Sequence, residues 1–238
     1  MSASYKIKTM DTKFWGPDAW RFLHCVADNC PDTMSNNKQL QHHRFFNVLQ
    51  DILPCIFCRR SLTKFYDEIP INVSSGKCTR YWFYRIHNRV NNKLRKQGVL
   101  SYKNPPASDV YEYYQTYKQK CIDQNIFPGW DFLYTVCLNY PEKTTINDPK
   151  RRAYKRFFTY LADVMPYPNM KKKYKQYLLI NDVRHHLNTR HQIIKWFHNF
   201  QKQCPNSKQL SLTQTKIFYE QYRASCNPKK GICSKSKK

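Results

Sequence analysis

The chain has 238 residues, enough for one large domain or for two of about 120 residues each. Its net charge is +25, which would attract nucleic acid, acidic surfaces or anionic cofactors without specifying which of them binds. No apolar run approaches the roughly 20 residues of a membrane span, and the first residues form no apolar signal core, so we expect a protein that is neither secreted nor membrane-inserted.

Aromatic residues make up 16% of the chain and glycine occurs only five times, which indicates a packed helical protein. Ten cysteines without a signal peptide are unusual, because the reducing cytosol keeps structural disulfides rare. A protein that forms disulfides itself would account for many cysteines in a chain without a signal peptide.

The first half of the chain predicts a bundle of five helices and no strand ladder. The hydrophobic spacing and the positions of proline and glycine set the expected bounds of each helix. These helices run from Pro17 to before Pro31, from about Lys38 to Leu53, from Cys55 to near Ile69, from about Thr79 to Lys96, and from about Ser108 to Cys121. The predicted fold class is therefore all-α.

Cys55 and Cys58 form a Cys-x-x-Cys pair at the start of the third predicted helix. One helical turn brings the two sulfurs together, close enough to bond without rearranging the backbone. The N-terminal helix dipole and the cations Arg59 and Arg60 favour thiolate over thiol, which suits a reversible redox disulfide. The alternative is half of a zinc site, but neither a second Cys-x-x-Cys nor a matching His pair follows in the chain.

The second half of the chain repeats the pattern of the first. Two ungapped blocks in the same order carry the similarity. Residues 130–142 resemble residues 20–32, and residues 156–167 resemble residues 44–55. Further on, His198-Asn199 occupies the place expected for a counterpart of His87-Asn88. Tyr167 and Met170 replace the two cysteines, so the second half cannot perform their chemistry.

Three blocks together resemble the Erv/ALR family of FAD-dependent thiol oxidases. They are Trp15-Gly16-Pro17-Asp18-Ala19-Trp20 with Leu23-His24, then Pro54-Cys55-Ile56-Phe57-Cys58, then His87-Asn88 continuing to Lys96. Each block is weak by itself, but their order and spacing are specific. The opening block is most similar to the forms carried by large DNA viruses.

The resemblance implies a four-helix FAD-binding bundle with a short fifth helix. Cys58 would lie against the isoalloxazine ring, and Cys55 would face the incoming thiol. His87, Val90 and Asn91 share one helix face, which would hold adenine and ribose. The implied FAD-binding residues are Gly16, Trp20, His24, His87, Asn88, Val90, Asn91, Lys93, Leu94, Lys96 and Tyr114. Taken singly, the histidines and Trp20 are better explained as ordinary core residues, and only the three blocks together favour the FAD-binding roles.

The implied domain organisation has three parts. Residues 1–124 would form the FAD-binding oxidase domain, 125–222 a degenerate helical domain of the same type without the Cys-x-x-Cys pair, and 223–238 a basic tail. Cys226 and Cys233 in that tail are candidates for a shuttle disulfide, although an inert structural pair is equally compatible with their spacing.

The resemblance also implies protein dithiols and oxygen as substrates, a homodimer, and a location in the host cytoplasm, at the viral factory, or in the virion. No metal is expected. The alternative function is a basic nucleic-acid-binding or virion structural protein without redox turnover. It explains the net charge and the run Lys171-Lys172-Lys173, but not the three ordered blocks.

Overall fold

The computed structural model describes residues 12–204, 207, 210–227 and 232–235, with only the backbone described for 225–227 and 232–235. Within these residues the chain forms ten α-helices, one 3-10 turn and one short hairpin. The predicted all-α class is confirmed.

The five predicted helices of the first half are present with bounds close to those expected. They are α1 (Thr12–Asp28), α2 (Asn36–Ile52), α3 (Ile56–Glu68), α4 (Gly76–Lys96) and α5 (Ala107–Asp123). Ser35, Cys55 and Ser75 each place a side-chain acceptor on a backbone N–H of the first turn that follows, which fixes where α2, α3 and α4 begin.

The predicted start of α1 at Pro17 is wrong, because the helix already includes Thr12 and carries the proline inside it. An internal proline lacks the N–H for one helical hydrogen bond. Tertiary contacts hold the extra turns: the rings of Phe14 and Tyr222 stack 3.6 Å apart, and buried Trp15 packs against Phe132. These partners are distant in sequence, so local signals did not reveal them.

The second half contains five further helices and a 3-10 turn. They are α6 (Trp130–Leu138), α7 (Pro149–Val164), α8 (Pro168–Ile180), the 3-10 turn (Val183–His186), α9 (Arg190–Lys202) and α10 (Leu212–Glu220). A capping box in which Thr189 and Gln192 bond each other's backbone N–H groups fixes the start of α9.

A two-stranded antiparallel hairpin follows α10, with β1 at Ala224–Asn227 and β2 at Ile232–Lys235. Its register sets Cys226 opposite Cys233. This hairpin is the only pair of strands among the described residues, and it lies outside the first half, for which no strand was predicted.

The two halves share one hydrophobic core. Helix α7 packs along α2 in the most extensive contact between any two of the described helices, and α6 packs along α1. At the centre of the first contact, the rings of Phe45 and Phe157 lie 5.7 Å apart, and neither residue is exposed. The face of the first bundle formed by α1 and α2 is thus covered by the second half. No helix among the described residues is long and apolar enough to cross a membrane.

Candidate redox site

Cys55 and Cys58 lie at the junction of α2 and α3. Leu53 ends α2 by donating its N–H to the Leu49 carbonyl, and Cys55 is the N-cap residue of α3. The Cys58 N–H points at Cys55 Sγ, 3.4 Å away. The predicted arrangement, with both sulfurs at one helix start, is therefore present in the structure.

The environment separates the two thiols in acidity. Hydrogen bonding from the Cys58 thiol lowers the pKa of Cys55 to about 7, and the N–H groups of Cys58 and Phe57 and the charge of Arg59 act in the same direction against burial. The pKa of Cys58 is raised well above its usual value because its thiol bonds Cys55 and is buried. Cys55 is therefore the thiolate of the pair when both are reduced.

Of the two arginines after the motif, Arg59 is the one built into it. Its Nη1 donates to the carbonyl oxygens of Leu53 and Pro54, at 2.5 and 3.2 Å. Its charge lowers the pKa of both cysteines, whereas Arg60 is exposed.

Access to the two sulfurs differs from the expectation drawn from the family. Cys55, expected to face an incoming thiol, is only 1% exposed, and Cys58 is the more open residue. In this arrangement a substrate thiol has no direct approach to Cys55.

A cluster of four rings lies between α1, α4 and α5. The ring of Trp20 stacks on that of His87 at 3.7 Å, and His24 stacks on Tyr114 at 4.1 Å. His24 Nε2 and His87 Nδ1 lie 2.9 Å apart, so the two imidazoles share one hydrogen bond. Burial lowers the pKa of His87 to about 4 and that of His24 well below its usual value, which keeps both rings neutral.

Helix α4 carries the remaining predicted positions in two groups. Asn91 is buried and donates to Asn104 Oδ1, and Lys93 Nζ donates to Ser61 Oγ at 2.6 Å. The charge of Lys93 is also one of the causes that lower the pKa of Cys58, so the basic end of α4 lies near the redox pair. The other predicted positions are partly exposed at Gly16, Asn88, Val90 and Leu94 and exposed at Lys96.

These residues have the chemistry that a dinucleotide with a redox ring needs. Flat neutral rings can stack on a base, cations can pair with a pyrophosphate, and a thiol can contact the ring that accepts electrons. The ring cluster, the cationic end of α4 and Cys58 meet this description, so FAD is compatible with the site.

Sequence reasoning missed several contributors to the site. Phe83 packs within 5.7 Å of Trp20 and within 4.8 Å of His24, measured between ring centroids. Ser61 and Asn104 supply hydrogen-bond partners to α4. The helical spacing of Phe83 relative to His87 was the available signal, while Ser61 and Asn104 carried none.

Similar contacts occur in the second half with other residues. Trp82 Nε1 donates to the Ile69 carbonyl at the end of α3, and Trp196 Nε1 donates to the Asn181 carbonyl at the end of α8. Counting from these tryptophans, Gln201 is the residue of α9 that corresponds to His87 of α4. The sequence matches His87-Asn88 with His198-Asn199, one helical turn earlier in α9.

Gln201 and His87 each form a side-chain hydrogen bond to a residue of the helix packed against their own. The Tyr134 hydroxyl donates to Gln201 Oε1 at 2.5 Å, where the first half joins His24 to His87. Tyr134 stacks on Tyr219 at 4.5 Å, as His24 stacks on Tyr114.

Two surface cavities lie away from the cysteine pair. One of about 490 Å³ is formed by α5 residues between Gln115 and Gln124, and another of about 410 Å³ lies among α6, α9 and α10. Among the described residues, no group of three or more His, Cys, Asp or Glu side chains could hold a metal ion. The described cysteines outside the pair are half-buried at Cys78 and buried at Cys25, Cys30, Cys121, Cys137 and Cys204.

The run of lysines in α8 is partly engaged in internal contacts. Lys171 Nζ donates to the Asp163 carbonyl at 2.6 Å, and Lys173 Nζ to the Gln203 carbonyl at 3.2 Å. Two of the three ammonium groups in the run are thus engaged with backbone carbonyls of the protein itself.

Comparison with known proteins finds family similarity in the first half of the chain. The sequence model of the Erv1 / Alr family matches residues 17–109. An FAD-linked sulfhydryl oxidase of African swine fever virus (isolate Tick/Malawi/Lil 20-1/1983) is 26% identical over 119 residues, which cover 50% of this chain and 92% of the viral protein. The mitochondrial FAD-linked sulfhydryl oxidase ERV1 of Saccharomyces cerevisiae is 31% identical over 91 residues, 38% of this chain and 48% of the yeast protein.

A third relative is a putative FAD-linked sulfhydryl oxidase, 096R, of Invertebrate iridescent virus 3. It is 27% identical over 95 residues, which cover 39% of this chain and 64% of that protein. No solved structure gave a significant match.

Proposed function

Residues 17–109 form a domain of the Erv1/Alr family, and we propose from this premise that the protein is an FAD-dependent thiol oxidase acting on protein dithiols. The observation that carries the proposal is the Cys55–Cys58 pair at the start of α3. The pKa of Cys55 is lowered to about 7, and the pair lies close to the cationic end of α4.

The reaction is 2 R-SH + O₂ → R-S-S-R + H₂O₂. A substrate thiolate attacks the Cys55–Cys58 disulfide at Cys55, forms a mixed disulfide and releases Cys58 as the thiolate. The second substrate thiol then attacks the mixed disulfide, leaves as the oxidised product, and returns Cys55 as the thiolate that its environment favours. When bound, FAD supplies the two-electron acceptor and the reaction with oxygen.

The remaining site residues bind and orient in this proposal. Trp20, His24, His87 and Tyr114 supply neutral ring faces for the adenine, and Lys93 and Lys96 pair with the pyrophosphate. Positions along the same helices complete the binding surface, namely Gly16, Asn88, Val90, Asn91 and Leu94.

Substrate entry requires Cys55 to become exposed. Its 1% exposure means that the thiol of a bulky protein cannot reach it in the described arrangement. We therefore expect turnover with a small dithiol to exceed turnover with a folded protein substrate, unless a second disulfide carries the electrons inward. Cys226 and Cys233, paired in register in the hairpin, are the candidates for this shuttle. Their side chains lie outside the described part of the structure.

The decisive experiment is a visible spectrum of the purified protein, followed by oxygen uptake with dithiothreitol. We expect flavin absorbance and uptake in the wild type, and flavin absorbance without uptake in Cys58→Ala. Met170→Leu is the matched control in the second half, since a volume-conserving exchange of a buried apolar residue leaves the fold intact. A colourless wild-type protein, or uptake that survives Cys58→Ala, would contradict the proposal.

We further propose that residues 125–222 are a degenerate copy of the oxidase domain formed by residues 1–124. The paired tryptophan bonds, the Tyr134–Gln201 contact and the matched ring stacking support this relation. Tyr167 and Met170 stand at the start of α8 where the cysteines stand at the start of α3. The copy therefore keeps the scaffold without the redox pair.

The contact between the halves has the form of a two-fold interface. Phe45 meets its own counterpart Phe157, as residues near a two-fold axis do. On this basis the second half takes the place of a partner on the α1 and α2 face. A homodimer, which the family resemblance implies, would have to form through another face. Light scattering of the full chain tests this, and a dimer broken by an exposed substitution in α1 or α2 would overturn it.

Two further assignments remain predictions. The viral relatives favour a location in a cytoplasmic factory or a virion, which labelling of infected cells would test. Nucleic-acid binding through the basic surface would appear as affinity that falls steeply with salt, and a colourless protein with such binding would favour the alternative function.

A further inference from the structure

The carbonyls that precede the cysteine pair are held by cations from both halves of the chain. Arg59 of α3 donates to the carbonyl oxygens of Leu53 and Pro54. Lys150 of α7 donates from Nζ to the carbonyl oxygen of Asp51, at 2.7 Å and across 99 positions of sequence. These three carbonyls form the C-terminal end of α2, where the helix dipole is negative and favours cations.

Lys150 is fixed in this place by its own helix. Its backbone N–H donates to Asp148 Oδ1 at the N-cap of α7, and the Phe45–Phe157 contact holds α7 against α2. Six residues further along α7, Arg156 lies 3.7 Å from the Asp51 carboxylate. The ammonium group of Lys150 is thus aimed at the end of α2 by the packing of the two halves.

Lys150 and Arg59 are close enough for their charges to interact. The pKa of Lys150 is lowered, first by burial and then by the charge of Arg59, while Asp51 and Asp148 act in the opposite direction. Two cations therefore share one helix end, and each takes different carbonyls. Since like charges repel, the ammonium group on the Asp51 carbonyl disfavours movement of the Arg59 guanidinium toward that carbonyl.

We propose that Lys150 is a positioning residue for the Cys55–Cys58 pair, contributed by the half of the chain that has no such pair. By occupying the Asp51 carbonyl, it keeps Arg59 on the carbonyls of Leu53 and Pro54, beside the two sulfurs. The thiolate of Cys55 is then stabilised by Arg59, and the charges that face the pair are those of Arg59, Lys93 and, behind Arg59, Lys150. The proposal rests on Cys55 and Cys58 being the redox pair.

The test measures the thiol chemistry of the full-length chain with Lys150→Met. The protein is equilibrated with reduced and oxidised glutathione, and the oxidised fraction of the peptide that contains Cys55 and Cys58 is read by mass spectrometry. Losing thiolate stabilisation makes the reduced pair less favourable, so we expect the equilibrium to shift toward the disulfide by about threefold. The alkylation rate of Cys55 at pH 7 should fall by a similar factor, because less thiolate is present.

Three further variants make the result specific. Lys150→Arg keeps the charge and the donor and should restore both readouts. Lys155→Met removes an exposed charge from the same helix and should behave like the wild type. Lys150→Gln is uncharged and shorter, and should shift both readouts in the direction of Lys150→Met, which keeps the test valid if the methionine variant does not fold.

Wild-type equilibrium and alkylation in Lys150→Met would overturn the proposal, and so would an equal shift in Lys155→Met. Neither readout needs bound FAD or oxygen. A wild-type protein whose cysteine pair cycles with glutathione but consumes no oxygen would therefore defeat the oxidase proposal and leave this one standing.

Discussion

The two halves of the chain bury polar groups at matching helix junctions and give them different chemistry. Between α1 and α4, His24 and His87 share a hydrogen bond and present ring faces. Between α6 and α9, Tyr134 and Gln201 form a bond of 2.5 Å. Either bond can hold two helices together, but only the first also supplies two neutral imidazole rings. The identity of the side chains, and not the helix framework, decides whether such a junction offers ring faces to a ligand.

The same contrast holds at the starts of α3 and α8. Cys58 is half-buried and its thiol is hydrogen-bonded to Cys55. Met170 is buried, and its sulfur lies 3.5 Å from the sulfur of Cys204. Methionine fills the space of the lost thiol with an apolar group that packs well and cannot exchange disulfides. Met170 therefore contributes packing at the start of α8, where α3 has a pair of thiols.

Truncating the contact between the halves should give the largest stability effect. Phe157→Ala removes a fully buried ring, and we expect it to lower the free energy of unfolding by about 3–5 kcal/mol. Because the core is continuous, urea unfolding followed by tryptophan fluorescence and by circular dichroism should shift as one transition. Leu179→Ala, at a side chain 86% exposed in α8, is the control and should have little effect. Separate unfolding transitions for the two halves would contradict the single core that the halves share.

The junction of α1 and α6 should show a pH effect of intermediate size. Burial, then the charge of Asp131, raises the pKa of Asp18 to about 6, from a usual value of 3.8. The folded state therefore binds a proton between those two values that the unfolded state does not, so this carboxyl adds stability as the pH falls from 6 toward 3.8. Above pH 6 the buried charge is a cost, and Asp18→Asn should raise the unfolding free energy at pH 7.5 by about 2 kcal/mol.

The measurement is chemical denaturation of wild type and Asp18→Asn at pH 7.5 and pH 4.5. The advantage of the variant should shrink or vanish at the lower pH. An advantage that is the same at both values would show that Asp18 does not titrate across this range.

The smallest effect should come from the polar pair of the second half. Tyr134→Phe leaves Gln201 Oε1 without its donor, and we expect a loss of about 1–2 kcal/mol in unfolding free energy with no change in bound flavin. His87→Ala, at the corresponding junction of the first half, should instead lower the flavin content of the purified protein. The ratio of visible to ultraviolet absorbance measures this directly, and a loss of flavin in Tyr134→Phe would contradict the division of roles.

The sequence predicted the five helices of the first half, which the structure confirms, and the Erv1/Alr family model matches residues 17–109. Helix bounds followed from local signals, such as the N-cap residues Ser35 and Ser75, which act within one turn. The bond from Lys150 to the Asp51 carbonyl could not be predicted, since it depends on how two distant helices pack. The match of His198-Asn199 to His87-Asn88 stays a prediction, because a two-residue identity carries less information than the cap at Thr189, which sets the helix register.

The covering of α2 by α7 has a consequence for synthesis of the protein. Helix α2 ends at Ile52 and α7 ends at Val164. The ribosome must therefore add 112 residues (164 − 52) after completing α2 before α7 is complete. At about 5–20 residues per second, the ribosome needs roughly 6–22 s to supply the second after the first. Throughout that interval Phe45 has no covering ring and the cysteine pair is already made. A nascent chain paused between α2 and α7 is therefore the species that we expect to aggregate or to engage chaperones.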